Sequence, residues 1–139
     1  MTSFIHKDEM PGFTTERPMR VLVCGGRDYD NDDAVRDEFE ALIGYLLGND
    51  DSFVPPIIIH GAATGADSLA EQVAKGLGFP TEPHPTDWRK HGKAAGPIRN
   101  QEMLDTGVDL VLAFPGGVGT ADMVRRARRA GVEVHEREA

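Results

Sequence analysis

The sequence predicts a three-layer α/β fold, in which a mostly parallel sheet of about five strands carries helices on both faces. Short apolar runs, at residues 20–24 and 56–60 for example, are typical of strands that are buried on both faces of a parallel sheet. Turn residues follow each of these runs, and apolar residues at helical spacing follow the turns. Strands that alternate with helices in this way predict right-handed crossovers between parallel strands.

The predicted elements form one domain at residues 20–139, preceded by an aperiodic arm at residues 1–19. In chain order, the strands are predicted at residues 20–24, 56–60, 81–84, 108–114 and 132–135. The helices are predicted at residues 31–47, 66–77, 98–105 and 121–130. Gly48 and Gly78 follow helices, as C-terminal glycines commonly do, and Pro97 suits a first helical turn. The polar, aperiodic stretch at residues 85–96 is predicted to be an irregular loop.

Composition limits the class of protein. The chain has 139 residues and a formal net charge of −8, which opposes binding to a nucleic-acid backbone. Cys24 is the single cysteine, so an intrachain disulfide is excluded. No apolar run approaches the roughly 20 residues that cross a bilayer. The first 20 residues lack the apolar core of a signal peptide. We therefore expect a cytoplasmic protein with no membrane partner and with nucleic acid disfavoured as a ligand.

Three turns at strand ends are the candidate ligand-binding segments: residues 24–29, 60–67 and 115–120, called here the first, second and third turn. Ligands of open parallel sheets bind at the carboxyl ends of the strands. Free N–H groups at helix starts attract phosphate there, and glycine allows close backbone approach. The candidate binding residues on these turns are Gly25, Gly26, Arg27, Gly61, Thr64, Gly65, Asp67, Pro115, Gly116, Gly117, Gly119 and Thr120.

Several of these residues have structural alternatives. Arg27 offers donors to phosphate or carboxylate, or else pairs with a surface acid such as Asp28. Asp67 accepts a ribose hydroxyl, or else serves only as a favourable first-turn acid. Thr64 and Thr120 are both candidates to cap a helix or to contact phosphate, with Thr120 predicted as an N-cap. The second turn lacks the Gly-Lys-Ser/Thr ending of a Walker loop, so no triphosphatase site and no magnesium are expected.

The stretch at residues 85–96 adds two candidates, because long loops inside compact domains are often functional. Trp88 is a candidate to stack on a nucleobase, and Lys93 to meet phosphate. The alternative is a solvated basic loop with Trp88 anchored on the protein. His84, Asp87 and His91 do not have the spacing of a zinc site, so no metal and no cofactor are predicted.

Four arginines, at positions 125, 126, 128 and 129, lie near the C-terminal end of a predicted helix. Consecutive helical residues point about 100 degrees apart, so the four do not share one narrow face. The helix dipole also stabilises cations at this end of a helix. We therefore interpret them as a solvated helix end rather than as a nucleic-acid patch.

Together, four motifs resemble the SLOG superfamily: Gly25-Gly26-Arg27, the second turn, Pro97-Ile-Arg-Asn100 and the third turn. The resemblance is to its bacterial and phage YspA-like (YAcAr) subfamily, and it covers residues 20–134. It implies a Rossmann-like fold, a homodimer, and a nucleotide or nucleotide-derived ligand, such as a derivative of NAD or ADP-ribose, that is sensed or processed. The third turn is then expected at the phosphate, with Arg99 and Asn100 at the ligand.

The superfamily also contains the LOG phosphoribohydrolases and the DNA-processing protein DprA. LOG-type enzymes release a base from a nucleoside monophosphate. They use an arginine, which Arg99 resembles, and a glutamate whose position falls on Met123 here. Asp122 lies one residue earlier, about 100 degrees around the helix. Arg99 and Asp122 are therefore the candidate catalytic residues of an alternative function, cleavage of an N-glycosidic bond. A second alternative is a DprA-like, DNA-associated protein.

Overall fold

The structure, a computed structural model, describes residues 17–47 and 54–138. Its strands are β1 (Arg20–Cys24), β2 (Ile57–His60), β3 (Thr81–Pro83), β4 (Leu110–Ala113) and β5 (Glu133–Glu136). Its helices are α1 (Asp32–Leu47), α2 (Ala66–Gly76), α3 (Trp88–His91), α4 (Ala95–Asp105) and α5 (Val118–Arg129). A short 3-10 turn at Gly92–Ala94 joins α3 to α4. No helix in the described ranges is both long enough and apolar enough to cross a membrane.

The strands form one parallel sheet in the order β3-β2-β1-β4-β5. Val21 at the centre of the sheet lies opposite Ile58 of β2 on one side and Leu110 of β4 on the other. The chain therefore winds outward from β1 to β3 and then crosses to β4 on the other side of β1. The connections that leave β1 and β4 diverge at this point, and in open α/β sheets such a switch point opens a crevice for ligand.

Two separate cores show that helices cover both faces of the sheet. Val21 and Val23 of β1 pack in a cluster with α1 and α2, whereas Leu22 and Cys24 pack in a cluster with α4 and α5. Successive strand residues point to opposite faces, so an unbroken apolar run supplies both clusters. Each fully buried large side chain, such as Phe39, contributes about 1.5–3 kcal/mol relative to an exposed one. The predicted three-layer, parallel architecture is confirmed.

The stretch predicted to be irregular contains helical structure. The Asp87 carboxylate accepts the N–H of Lys90 at 3.0 Å and so caps the start of α3, which ends at His91 with Gly92 as its C-cap. Helix α4 then begins at Ala95, three residues before the predicted start at Ile98. The prediction of an irregular loop through residue 96 was wrong, because a four-residue capped helix leaves no periodicity in the sequence.

Helix α5 also begins earlier than predicted, at Val118 instead of Ala121. The carbonyl of Gly117 accepts the N–H of Ala121 at 3.0 Å, which makes Gly117 the N-cap. Thr120 therefore lies inside the first helical turn, and the prediction that it caps the helix was wrong. A glycine-rich run predicts a loop, which is why the helix was expected to start later. In the structure, Gly117 is the N-cap and Gly119 lies in the first turn of the helix.

Charged side chains form ion pairs with one another at the amino ends of β1 and β4. The Asp109 carboxylate accepts Arg17 Nη1 and Nη2 at 2.8 and 2.9 Å, and the backbone N–H of Arg20 at 2.8 Å. Arg20 in turn donates to Glu82 at 2.9 Å. Burial acts to raise the pKa of Asp109, but the donors outweigh it and hold that pKa below its usual value. Most of the predicted arm, residues 1–16, lies outside the described residues.

Candidate functional site

A cavity of about 650 Å³ opens at the carboxyl ends of β1 and β4, where the sheet topology predicts a crevice. Residues of all three turns line it, together with residues from α3 through α4. Most of the predicted site residues are brought together here: Gly25, Gly26, Arg27, Gly61, Asp67, Trp88, Lys93, Arg99, Asn100, Gly117, Gly119, Thr120 and Asp122.

Four predicted binding residues lie outside the cavity lining, where they join the turns to one another. Gly65 has a φ of +76°, and a Cβ there would lie 2.2 Å from the carbonyl oxygen of Gly26. A Cβ at Gly116 would lie 2.7 Å from the Gly26 nitrogen. The Pro115 carbonyl accepts the N–H of Gly26 at 2.8 Å. Thr64 donates its hydroxyl to the Arg27 carbonyl at 3.2 Å, so it caps no helix.

The second turn uses its own N–H groups internally. Asp67 Oδ2 accepts the N–H groups of Gly61 and Ala63 at 3.1 and 3.2 Å. The N–H of Ala62, which has an unusual φ of +57°, donates to His60 Nδ1 at 3.0 Å. These three donors are therefore not available to phosphate, contrary to the expectation that the second turn would cradle an anion.

In the third turn, by contrast, the N–H groups are free. No described residue accepts a hydrogen bond from the backbone nitrogens of Gly117, Val118, Gly119 or Thr120. These are the orphan donors of a helix start, where the dipole also favours an anion. A Cβ built on Gly117 or Gly119 would meet no atom within 4 Å. Packing therefore does not require glycine at these two positions, and the space beside them is open.

The cavity concentrates positive charge in an acidic chain. Four cations line it: Arg27, Lys93, Arg99 and Arg125. Two carboxylates, Asp67 and Asp122, also line it. Within residues 17–47 and 54–138, neither Arg27 nor Lys93 forms an ion pair with a carboxylate, so the alternative in which Arg27 pairs with a nearby acid is not seen. The cavity therefore suits an anion, although the net charge of the chain is −8.

Arg99 joins α4 to the ends of β2 and β3. Its Nη1 donates to the carbonyl of Gly61 at 2.5 Å and to that of His84 at 3.3 Å, and its Nε donates to Asn100. Burial lowers the pKa of the guanidinium, and the nearby Asp67 opposes that change. Nη2 has no acceptor among the described residues, so it remains available to a ligand.

Asp122 is saturated with donors. It accepts Asn100 Nδ2 at 3.0 Å, Arg125 Nη2 at 2.9 Å and Arg126 Nε at 2.8 Å. Burial acts to raise the pKa of this carboxyl, but Asn100 and Arg126 outweigh it and lower the pKa. The side chain of Arg125 is 60% exposed, in keeping with the expected solvated arginines, but it also lines the cavity. Its spacing of three residues from Asp122 was the available signal.

Asp67 is left partly unsatisfied. Its residue is only 6% exposed, and both of its internal hydrogen bonds go to Oδ2. Burial raises the pKa of the carboxyl, even though the N–H groups of Ala63 and Gly61 and the charge of Arg99 oppose the change. Asp67 and Asp122 therefore line one cavity with pKa values displaced in opposite directions.

The cavity has an apolar rim. Trp88 is 52% exposed and Val118 is 89% exposed, and both line the cavity. The guanidinium carbon of Arg27 lies 5.8 Å from the centre of the Trp88 ring, within cation–π range. Trp88 is therefore not folded away as an anchor, and its ring is open to a planar ligand group.

Two further positions, one in the cavity lining and one in the core, do not support nucleophilic or LOG-type chemistry. Burial raises the pKa of the Cys24 thiol well above its usual value, so it stays neutral. Met123, at the position of the LOG glutamate, is 1% exposed and packs in the core with Leu22 and Met103. Among the described residues, no group of three His, Cys, Asp or Glu side chains is arranged to hold a metal ion.

Comparison with known proteins agrees with the architecture. A model of the YspA, cpYpsA-related SLOG family (YAcAr) matches residues 19–91. The Gene 61 protein of Mycobacterium phage D29 is 41% identical over 122 residues, which cover 83% of this chain and 93% of the phage protein.

Two solved structures also match, and the first of them is similar in fold. The X-ray structure of TM1055, a structural-genomics target, has a TM-score of 0.59 at 18% identity, over 84% of this chain and 72% of that chain. The DNA processing protein A (DprA) from Streptococcus pneumoniae has a TM-score of 0.48 at 16% identity, over 85% of this chain and 58% of that chain. Because the family model matches more than half of the chain and the phage relative is 41% identical across most of it, this chain belongs to the YspA, cpYpsA-related SLOG family.

Proposed function

We propose that the cavity binds a nucleotide or nucleotide-derived ligand, such as a derivative of NAD or ADP-ribose, which the protein senses or processes. One observation carries the proposal. Free N–H groups at the start of α5 lie in the same cavity as two unpaired cations, Arg27 and Lys93. The cavity volume of about 650 Å³ is within the usual range for small-molecule sites.

The phosphate of this ligand is proposed to lie against the third turn. Charge-assisted hydrogen bonds from N–H groups and cations to phosphate are among the stronger ones in proteins. The open space at Gly117 and Gly119 gives the phosphate room to reach the backbone. The second turn has no free donor in residues 61–63, so the phosphate and the second turn are expected to stay apart.

The base is proposed to lie against the rim formed by Trp88 and Val118. Stacking of a base on an aromatic side chain contributes about 1–3 kcal/mol. Without ligand, both side chains expose apolar surface to water. Contact with a base would bury that surface, which favours binding.

A thermal-shift panel tests the proposal, with AMP, ADP, ADP-ribose, cyclic ADP-ribose, NAD and ribose 5-phosphate. A ligand at 100 times its dissociation constant adds about 2.7 kcal/mol of stability. We expect at least one of these compounds to raise the melting temperature of the wild-type protein. Gly117→Asp places a carboxylate at the phosphate position and is expected to abolish the shift.

Gly44→Asp is the matched control. Gly44 lies in α1, away from the cavity, and a Cβ there also meets no atom within 4 Å. The control adds the same charge and is expected to keep the ligand-induced shift. A flat panel for well-folded wild-type protein at millimolar ligand, or equal loss in both variants, would contradict the proposal.

Cleavage of the N-glycosidic bond of a nucleoside monophosphate is a second candidate. It is favoured by two cavity carboxyls, Asp67 and Asp122, whose pKa values are displaced in opposite directions, a common property of acid–base pairs. Chromatography of AMP after incubation with concentrated protein tests it. Free adenine that disappears in Arg99→Ala would support cleavage, and unchanged AMP would exclude it. A gel shift at low salt would test the remaining alternative, DNA binding.

A further inference from the structure

One oxygen of Asp67 has no hydrogen-bond partner. Both backbone donors of the second turn go to Oδ2, and no described residue donates to Oδ1. The residue is 94% removed from solvent and lines the cavity. Oδ1 is not sealed in the core, since it is not among the fully buried atoms without a partner, and the residue lines the cavity. It is therefore open to a donor on a ligand in the cavity, which the protein itself does not supply.

The surroundings of Asp67 do not supply this donor. Its apolar neighbours in the cavity lining include Val23, Cys24 and Met103, all of which are buried. The titratable groups that act on its carboxyl are Arg99 on α4, Cys24 on β1 and His60 on β2. Arg99 donates to Gly61, His84 and Asn100, while His60 bonds to Glu71 and to the N–H of Ala62. None of these groups is hydrogen-bonded to Asp67.

The proposed phosphate and base are each expected to contact groups of the cavity other than Asp67. A carboxylate repels phosphate, and the free N–H groups are on the third turn instead. The exposed Trp88 and Val118 lie at the rim of the cavity, where a base is proposed to bind. A ribose connects base to phosphate, so it is the part of a nucleotide that remains to face the buried carboxyl. Its hydroxyl groups are donors.

We propose that Asp67 Oδ1 accepts a hydrogen bond from a 2′- or 3′-hydroxyl of the bound nucleotide, and that Asp67 thereby selects ribonucleotides over deoxyribonucleotides. This inference rests on the proposed function. A site built to hydrogen-bond a hydroxyl rejects the analogue that lacks it, because the carboxylate oxygen then has no donor from the ligand or the protein. The raised pKa of Asp67 is consistent with this role, since a ligand donor would favour the charged form.

Titration calorimetry tests the proposal with AMP, 2′-deoxy-AMP, 3′-deoxy-AMP and IMP, on the wild-type protein and Asp67→Asn. Asparagine keeps one oxygen for the N–H groups of Gly61 and Ala63 but presents an amide N–H₂ to the cavity. We expect Asp67→Asn to bind AMP at least tenfold more weakly. We expect the deoxy analogue that lacks the contacted hydroxyl to bind the wild type at least tenfold more weakly than AMP does. This analogue is expected to bind the wild type and Asp67→Asn with equal affinity.

Asp33→Asn is the matched control, because Asp33 is an exposed first-turn acid of α1 away from the cavity. It is expected to bind AMP as the wild type does. A thermal melt adds a readout that separates recognition from structure: Asp67→Asn is expected to melt no lower than the wild type, because burial outweighs the nearby charge of Arg99 and disfavours the charged carboxylate.

Each remaining outcome overturns the proposal in a distinguishable way. Equal weakening of all four ligands by Asp67→Asn, with a lower melting temperature, would show a merely structural residue. If the wild type binds IMP weakly but binds both deoxy analogues as tightly as AMP, the donor to Asp67 would be the amine of the base and not a ribose hydroxyl. Wild-type binding with no effect of either substitution or deoxygenation would leave the proposed function intact and remove this inference. No binding of any ligand by the wild type would remove both.

Discussion

Asp109 at the amino ends of the strands and Asp67 at their carboxyl ends are satisfied to different degrees, whereas Asp122 in the cavity lining is fully paired, as Asp109 is. At the amino ends, Asp109 receives three donors and its pKa is lowered. At the carboxyl ends, Asp67 receives two donors on one oxygen and its pKa is raised. The amino ends thus satisfy their own charges, whereas the carboxyl ends keep free N–H groups, unpaired cations and an unpaired oxygen. Groups that the fold leaves unsatisfied at the carboxyl ends are the ones a ligand can satisfy.

The contrast extends to the glycines. Gly65 and Gly116 are required by the protein itself, since a Cβ on either would lie within 3 Å of backbone atoms. Gly117 and Gly119 are not, and both line the cavity. In the third turn, therefore, Gly116 is required by the fold, whereas Gly117 and Gly119 leave open space at the cavity.

The largest expected effect separates these two classes of glycine. Gly65→Ala combines a positive φ with a Cβ 2.2 Å from a backbone oxygen, so we expect it to lower the free energy of unfolding by about 2–4 kcal/mol. Gly117→Ala, its control, is expected to stay within about 0.5 kcal/mol of the wild type. Urea denaturation measures both. Equal stability of the two variants would erase the distinction.

The next effect compares the two carboxylates. Asp109→Asn is expected to lower the free energy of unfolding by about 1–2 kcal/mol, because it weakens the bond to the N–H of Arg20 and the more exposed pair with Arg17. Asp67→Asn is expected to leave stability unchanged or to raise it. Chemical denaturation at pH 7 checks the pair of variants. A greater loss in Asp67→Asn than in Asp109→Asn would reverse the comparison.

Trp88→Ala is expected to reduce ligand affinity by about 5- to 150-fold, the equivalent of about 1–3 kcal/mol of stacking. Its effect on stability is expected to be small, since Trp88 is 52% exposed. Leu77→Ala, at a similarly exposed position outside the cavity lining, is the control and should leave affinity unchanged. Calorimetry with the ligand that gives the largest thermal shift measures both variants, and equal affinities would exclude the rim as the position of the base.

The smallest effect is on pH dependence. The pKa of Asp67 is raised in the folded state, so the folded protein holds this proton more tightly than the unfolded chain does. Its contribution to stability is therefore largest below the unfolded value near 3.8, and it declines as pH rises through the folded pKa. Melting temperatures recorded from pH 4 upward should show wild type losing stability relative to Asp67→Asn. The opposite slope would mean that the carboxylate is stabilised.

Much of the fold followed from local sequence signals. Continuous apolar runs located β1 and β2 within one residue, because buried strands leave no polar interruption. The strand order did not follow, since it depends on long-range pairing. Helix α3 was not predicted because it has only four residues, too few for a helical pattern of apolar residues, and the Asp87 N-cap alone does not indicate a helix. The early start of α5 was missed because glycine has a low intrinsic helix propensity.

The site was predicted in part. The three turns converge because parallel strands place their carboxyl ends together, a rule that the sequence pattern was sufficient to invoke. The sequence did not predict which N–H groups are free. This depends on the side chains of Asp67 and His60, which accept the N–H groups of their own turn. The place of Arg125 in the cavity lining was not predicted, because it depends on how α5 packs against α4 and the sheet.

An amide-resolved NMR titration with ADP-ribose and ribose 5-phosphate reports which end of the strands binds ligand. We expect the largest shifts at the N–H groups of residues 117–120, with smaller shifts at residues 25–27 and none at Arg20 or Asp109. Saturable shifts confined to the amino ends of the strands, or no shifts at millimolar concentration of either compound, would contradict this expectation.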